Sequence, residues 1–87
     1  MRLSVISPEK ICFEGEAKMI SVNGQAGSLS VMDGHIPLVT PVRSGDARIY
    51  LLDGSVINAR TDGGLLSVTK EKTIFLAEGF EETKDAV

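Results

Sequence analysis

Apolar and polar residues alternate in short runs along this chain, and glycines cut the runs apart. Leu3 and Val5 share one face of a first segment, with Arg2 and Ser4 opposite. In 16–23, EAKMISVN, Ile20 and Val22 point one way and Met19 and Ser21 the other, while Lys18 falls on the Ile20 face near the start. Leu29 and Val31 alternate with Ser28 and Ser30, and Ile49 and Leu51 continue the pattern. A period of two is the mark of a strand with one covered face. Asp53-Gly54 is the strongest short hairpin signal, with a return strand from Val56 to about Arg60. GLLSV and TIFLA form a last pair across the turn Lys70-Glu71-Lys72. Pro37 and Pro41 have no N–H to give to a ladder, so 36–42 is expected at a sheet edge or a strand start.

The nine glycines leave little room for a helix. After residue 8 and up to residue 79, the longest stretch free of Gly and Pro is 65–78, and that stretch holds its own turn. Short strands at intervals of about 8–12 residues predict an all-β fold, a two-sheet antiparallel β-sandwich of about ten short strands. A single flat sheet would leave one face of its aliphatic side chains in water, whereas two packed sheets cover both. The expected domain is 1–79. Residues 80–87, FEETKDAV, break the alternation and read as the first turns of a helix or as a short acidic tail.

Composition supports the β reading. Of the 23 Leu, Val and Ile residues, 15 are β-branched and suit a pleated, half-buried surface. One domain of 87 residues has a modest core, burying roughly 60–65% of its extended-chain surface. No apolar run approaches the ~18 residues of a membrane span, so no direct insertion is expected. The net charge is −3, and Glu78, Glu81, Glu82 and Asp85 against Lys84 account for all of it. The remainder is neutral, without clustered Lys and Arg or interleaved aromatics, which argues against nucleic-acid binding.

Candidate chemistry is sparse. Cys12 is the only cysteine, so no internal disulfide forms, and between Ile11 and Phe13 it reads as a packing residue in a reducing compartment. His35 is the only histidine, and no His/Cys spacing for a metal exists. Asp33, Asp46, Asp53 and Asp62 lack calcium-loop spacing. Asp33 and His35 lie either side of Gly34, but no nucleophile elbow accompanies them. Gly24, Gly27 and Gly34 are followed by no helix start and no Gly-Lys-Ser/Thr, so they make no phosphate cradle. They read as positive-φ turn positions instead. Neither a catalytic residue nor a cofactor or metal site is expected. Residues 24–45 hold four glycines and two prolines, which suits either a rigid contact surface or simple chain turning.

With those features in place, VNGQAGSLSVMDGHIPLVTPVRSGDARI followed by TDGGLLSVTKEKTIFLAEGF resembles the N-terminal domain of the epsilon subunit of F-type ATP synthases. The marks are Gly24 and Gly27, then Gly34-His35-x-Pro37-Leu38, a Gly45 turn before Arg48-Ile49, Gly63-Gly64 with Leu66 and Val68, and Phe75-Leu76-Ala77. The resemblance covers nearly the whole chain. It implies a ten-stranded, two-sheet sandwich in the central stalk of the rotor, doing no chemistry itself. The implied partners are the gamma subunit and the polar loops of the c-ring, on the cytoplasmic face of the membrane as a peripheral part of the F1 sector.

Carried over by position, Gly24, Gly27, Ser28 and Leu29 would face the c-ring and gamma. Gly34, His35, Pro37 and Leu38 would lie beside gamma, and Ser7 would border the same contact. An exposed apolar patch is expected around Ile36, Pro37 and Leu38. Ser28 stands where the family commonly has an acid, and Asp33 where it commonly has proline. Epsilon subunits usually continue into two C-terminal helices. This sequence stops at Val87, and the resemblance implies no competent ATP site in these residues. A free-standing β-sandwich that binds a ligand or protein through 24–45, and a small hydrolase using Asp33 and His35, are the other readings.

Overall fold

Alternation becomes strand throughout the computed structural model, which describes residues 1–83. The strands are β1 (Arg2–Ile6), β2 (Ile11–Glu16), β3 (Met19–Gly24), β4 (Gly27–Met32), β5 (Leu38–Val42), β6 (Gly45–Tyr50), β7 (Val56–Val68) and β8 (Thr73–Glu82). Hydrogen bonds join them into one continuous sheet, in the order β2-β1-β8-β7-β6-β3-β4, with β5 added to β7. The ladders are antiparallel except β1–β8, where Leu3–Ile6 run parallel to Thr73–Leu76. The expected all-antiparallel pattern is corrected at that ladder. β1 and β8 lie far apart in sequence, so no hairpin sets their relative direction.

The sheet becomes a sandwich because two long strands bend through both layers. β7 pairs β6 along Val56–Thr61 and β5 along Gly64–Val68. β8 meets the second half of β7 along Thr73–Ala77 and the first half along Phe80–Glu82. One layer is therefore β5, the end of β7, the start of β8, β1 and β2; the other is the end of β8, the start of β7, β6, β3 and β4. Eight bonded strands, with β7 and β8 each present in both layers, give ten strand segments. The expected all-β sandwich of about ten short strands is borne out, its two layers being parts of one folded sheet.

Glycine makes the bend possible. Gly63 has φ 112°, a conformation L side chains rarely adopt, and an added Cβ would come within 2.6 Å of the Val42 carbonyl oxygen. Buried Thr61 completes the bulge, its hydroxyl accepting the Gly63 N–H at 3.1 Å. In β8, Gly79 makes room for Asp62, whose carboxylate oxygen would lie 2.6 Å from a Cβ there.

Both layers feed one core. Leu3, Val5, Leu66, Val68 and Phe75 come from the first layer, and Ile20, Val22, Val31, Ala47 and Ile49 from the second. Phe75 and Phe80 meet edge to face, centroids 6.4 Å apart, so a single strand places one ring in each layer. Residues 80–82 are therefore strand rather than helix, and Phe80 packs on the core. The strand departs from helical expectation because Arg60 and Thr61 offer it a ladder that local sequence does not reveal. The rest of the acidic tail, 84–87, lies outside the described residues.

Candidate protein interface

His35 is engaged by its own turn. Its backbone N–H donates to the Met32 carbonyl at 3.1 Å, and its ring Nδ1 lies 2.7 Å from the Ile36 carbonyl oxygen. A carbonyl only accepts, so Nδ1 carries the proton in this arrangement. Asp33 is not its recorded partner: that carboxylate lies 3.9 Å from the Met1 amine and is 86% exposed. The pair thus lacks the carboxylate-to-imidazole bond of a hydrolytic triad. Among the described residues, no group of three or more His, Cys, Asp or Glu side chains could hold a metal. Cys12 is half-buried against the core.

The residues singled out by sequence occupy three places. Gly24 and Gly27 close a two-residue hairpin over Gln25-Ala26, with Ser28 exposed and Leu29 half-buried just beyond. Gly27 and Gly34 have positive φ, at 116° and 84°, but Gly24 does not, which corrects the expectation for that position. Gly24 is needed for closeness instead, since an added Cβ would lie 3.1 Å from the Gly27 carbonyl and 3.2 Å from Leu29 Cβ.

At the other end of β4, Gly34 turns the chain into His35, Ile36 and Pro37, and Leu38 opens β5. Five strand steps from Gly27 to Met32, at about 3.3 Å each, put roughly 17 Å between the two groups. Ile36 is 77% exposed and Pro37 is exposed, whereas Leu38 packs against the core. Ser7 sits in a third place, the β1–β2 turn, bonded to Lys10 and beside Leu76–Glu78. No described hydrogen bond links it to either group.

A larger feature escaped the sequence reading. On the outside of the first layer, Pro41 lies opposite Leu65, Leu65 opposite Leu76, Leu76 opposite Ile6, and Ile6 opposite Ile11. An apolar row thus crosses all five strand segments. Leu65, Leu76 and Ile11 are 40%, 48% and 60% exposed, and Val39 beside them on β5 is 65% exposed. Their chain neighbours Val5, Leu66 and Phe75 point inward and are fully buried.

The second layer is different outside: Ser30, Ser21, Arg48 and Asn58 form the corresponding row. Arg48 Nε donates to Asn58 Oδ1 at 3.2 Å, and Arg60 pairs with Asp46 at 3.2 Å. The same face of the second layer also carries Met32, Met19, Tyr50 and Val56 in register, with Met32 51% and Val56 41% exposed, so its outside is mixed where the first layer's row is apolar from edge to edge. The signal was present in Leu65-Leu66 and Ile74-Phe75-Leu76-Ala77. Consecutive apolar residues in a strand load both faces, and only one of those faces is the core.

Comparison with known proteins agrees with this geometry. The ATP synthase delta/epsilon chain β-sandwich domain model matches residues 1–83. The ATP synthase epsilon chain of Bordetella petrii is 36% identical over 78 residues, covering 90% of this chain and 55% of its own length. That of Chlorobium limicola is 34% identical over 77 residues, covering 88% of each chain. The chain thus spans about half of the Bordetella relative and most of the Chlorobium one. In the Euglena gracilis mitochondrial ATP synthase OSCP/F1/c-ring structure, one chain superposes with TM-score 0.86 at 16% identity, covering 92% of this chain and 51% of that one. A chain of the Tetrahymena thermophila central stalk/c-ring structure gives 0.79 at 13%, covering 92% and 64%. At those identities the structural likeness concerns the fold. With the family model matched almost from end to end, the chain belongs to the ATP synthase delta/epsilon family, whose β-sandwich domain it forms.

Proposed function

We propose that this chain is a non-catalytic central-stalk subunit of an F-type ATP synthase, linking the gamma subunit to the c-ring and supporting rotary coupling of ion flow to ATP synthesis. The observation that carries the partner contact is the apolar row Pro41–Leu65–Leu76–Ile6–Ile11, which gives the first layer an outer surface suited to another protein. Gamma is its proposed occupant, reaching over β5 to Ile36 and Pro37, with Ser7 at the border beside Leu76. The Gly24–Leu29 hairpin, Ser28 included, is the proposed contact with the polar loops of the c-ring and with gamma, and His35 shapes the turn toward gamma. Family membership and the names of the relatives support this reading.

No described helix is long and apolar enough to cross a membrane. The proposed placement is peripheral, on the cytoplasmic face, through the other subunits. The test is co-purification of the tagged chain with gamma and a c-ring from a reconstituted rotor. Stoichiometric recovery is expected. A chain that stays monomeric in the presence of both would replace this reading with that of an independent binding module.

A further inference from the structure

Four pairs in this sequence set Asp or Asn directly before glycine: Asn23-Gly24, Asp33-Gly34, Asp53-Gly54 and Asp62-Gly63. Glycine has no side chain to shield its backbone nitrogen. In each pair that nitrogen can attack the preceding side-chain carbonyl carbon and close a five-membered succinimide. The reaction needs a nitrogen without a hydrogen bond and a side chain able to swing over it. Folding withholds both at three of the four pairs.

Gly24 and Gly27 are the bonded pair that closes a two-residue hairpin, so the Gly24 N–H donates to the Gly27 carbonyl. The Asn23 amide is held as well, donating to the Ser44 carbonyl at 3.0 Å. Gly54 N–H donates to the Leu51 carbonyl at 3.1 Å, while Asp53 Oδ1 accepts from the Ser55 N–H and hydroxyl. Gly63 N–H donates to the Thr61 hydroxyl at 3.1 Å, and the Asp62 carboxylate fills the space left by Gly79. Asp33-Gly34 is different. It forms the middle of the turn closed by His35 N–H on the Met32 carbonyl, with Gly34 at φ 84°, and such a turn makes no use of its central N–H. Among the described residues, neither the Gly34 N–H nor the Asp33 carboxylate has a hydrogen-bond partner. The carboxylate is 86% exposed, and its ion pair to the Met1 amine, at 3.9 Å, is too open to fix it in place.

We propose that Asp33-Gly34 is a self-modification site of the folded domain, converting through a succinimide to isoaspartate. The Gly34 nitrogen bonds to Asp33 Cγ, the Cγ–OH bond of the protonated carboxyl breaks, and the hydroxyl leaves with the amide proton as water. A water molecule then opens the ring at one of its two carbonyls. Opening at Cγ restores aspartate. Opening at the main-chain carbonyl leaves the chain running through the side chain, longer by one methylene and with a free α-carboxylate. Atoms balance without an oxidant or cofactor. The longer backbone breaks the fit of His35 N–H to the Met32 carbonyl, and His35, Ile36 and Pro37 shift with it. Resting on the rotor reading above, this conversion spoils the turn proposed to lie beside gamma.

The experiment is peptide mapping of the full chain after prolonged incubation at mildly acidic pH, folded and in denaturant. In the folded chain Asp33 should give a succinimide, lighter by one water, and then isoaspartate. It should convert at least tenfold faster than Asp53 or Asp62, which must first open locally. In denaturant the three Asp-Gly pairs should convert at similar rates. Equal rates in the folded chain as well would overturn the site. At neutral pH, folded Asp33→Asn should lose ammonia at least tenfold faster than Asn23 of the same molecule; the reverse order would also overturn it. A gamma pull-down reads the consequence. The isoaspartyl form should bind gamma about tenfold more weakly than fresh chain. Aged Asp33→Glu, which would have to close a six-membered ring, should bind as its own fresh sample does. Equal ageing losses in the two chains overturn the effect on binding. If fresh chain binds no gamma, the rotor reading falls, while the peptide map still decides the modification.

Discussion

Leu65 and Leu76 face each other across the β7–β8 ladder on the outside of the sandwich, 40% and 48% exposed, while their chain neighbours Leu66 and Phe75 are fully buried inside. Adjacent residues in the same strand thus serve different ends. Leu66→Ala should cost about 2–5 kcal/mol of stability through lost burial and a cavity. Leu65→Gln with Leu76→Gln should change stability by no more than about 1 kcal/mol, yet reduce binding to gamma at least tenfold. Urea unfolding and a gamma pull-down separate the two effects; intact binding by the double variant would remove the outer row from the interface.

The bend between the layers should tolerate no side chain at Gly63. Ala there would meet the Val42 carbonyl at 2.6 Å and hold a φ of 112° that L residues rarely adopt. We expect Gly63→Ala to destabilise the domain by at least about 2 kcal/mol, from strain plus displacement of the β5–β6 connection. The midpoint of denaturant unfolding measures it. Gly54→Ala, where φ is 91° but an added Cβ meets nothing within 4 Å, isolates the backbone strain alone.

Asp53 gives the β6–β7 hairpin a pH dependence of known sign. Its Oδ1 accepts the Ser55 hydroxyl at 2.6 Å and the Ser55 N–H at 2.9 Å, and these bonds hold the carboxyl below its ordinary value of 3.8, the hydroxyl contributing most. Because the folded value is depressed, the stabilisation is present above the unfolded value and is lost as pH falls through the folded one. An NMR titration should find Asp53 below 3.8, and Ser55→Ala should move it upward. An unmoved value would show that the hydroxyl bond does not persist in solution.

His35→Ala should leave the fold standing. The backbone bond from His35 N–H to Met32 is kept, and only the ring contact to Ile36 is lost. A stability change of no more than about 1 kcal/mol is expected, with weakened assembly on gamma as the larger effect. Loss of a measured hydrolytic activity in this variant would revive the catalytic reading of Asp33 and His35.

Strand positions were legible because each inner face obeys a period of two: Leu3 and Val5, Ile20 and Val22, and Ile49 are all buried. The Asp53-Gly54 and Lys70-Glu71-Lys72 turns fall where their residues place them. What sequence hid was non-local. Nothing around residue 80 announces that Phe80 packs on the core and Glu81 pairs opposite Arg60, because that ladder depends on a bend in another strand. The direction of β1 along β8 is of the same kind. The site residues fall at opposite ends of β4 and in the β1–β2 turn, a separation that a list of loop residues does not convey.

The three bends at Arg43-Ser44, Gly63 and Gly79 lie along one corner of the molecule, and there the chain itself passes from layer to layer. In a sandwich of two separate sheets, no hydrogen-bonded strand runs through both layers, and sideways load passes through side-chain contacts and slack connecting loops. Here such load travels along covalent backbone at this corner, and again through Ala17, where β2 hands over to β3. Shearing one layer past the other would require ladder bonds of β7 and β8 to break on both, so the two layers move as one body.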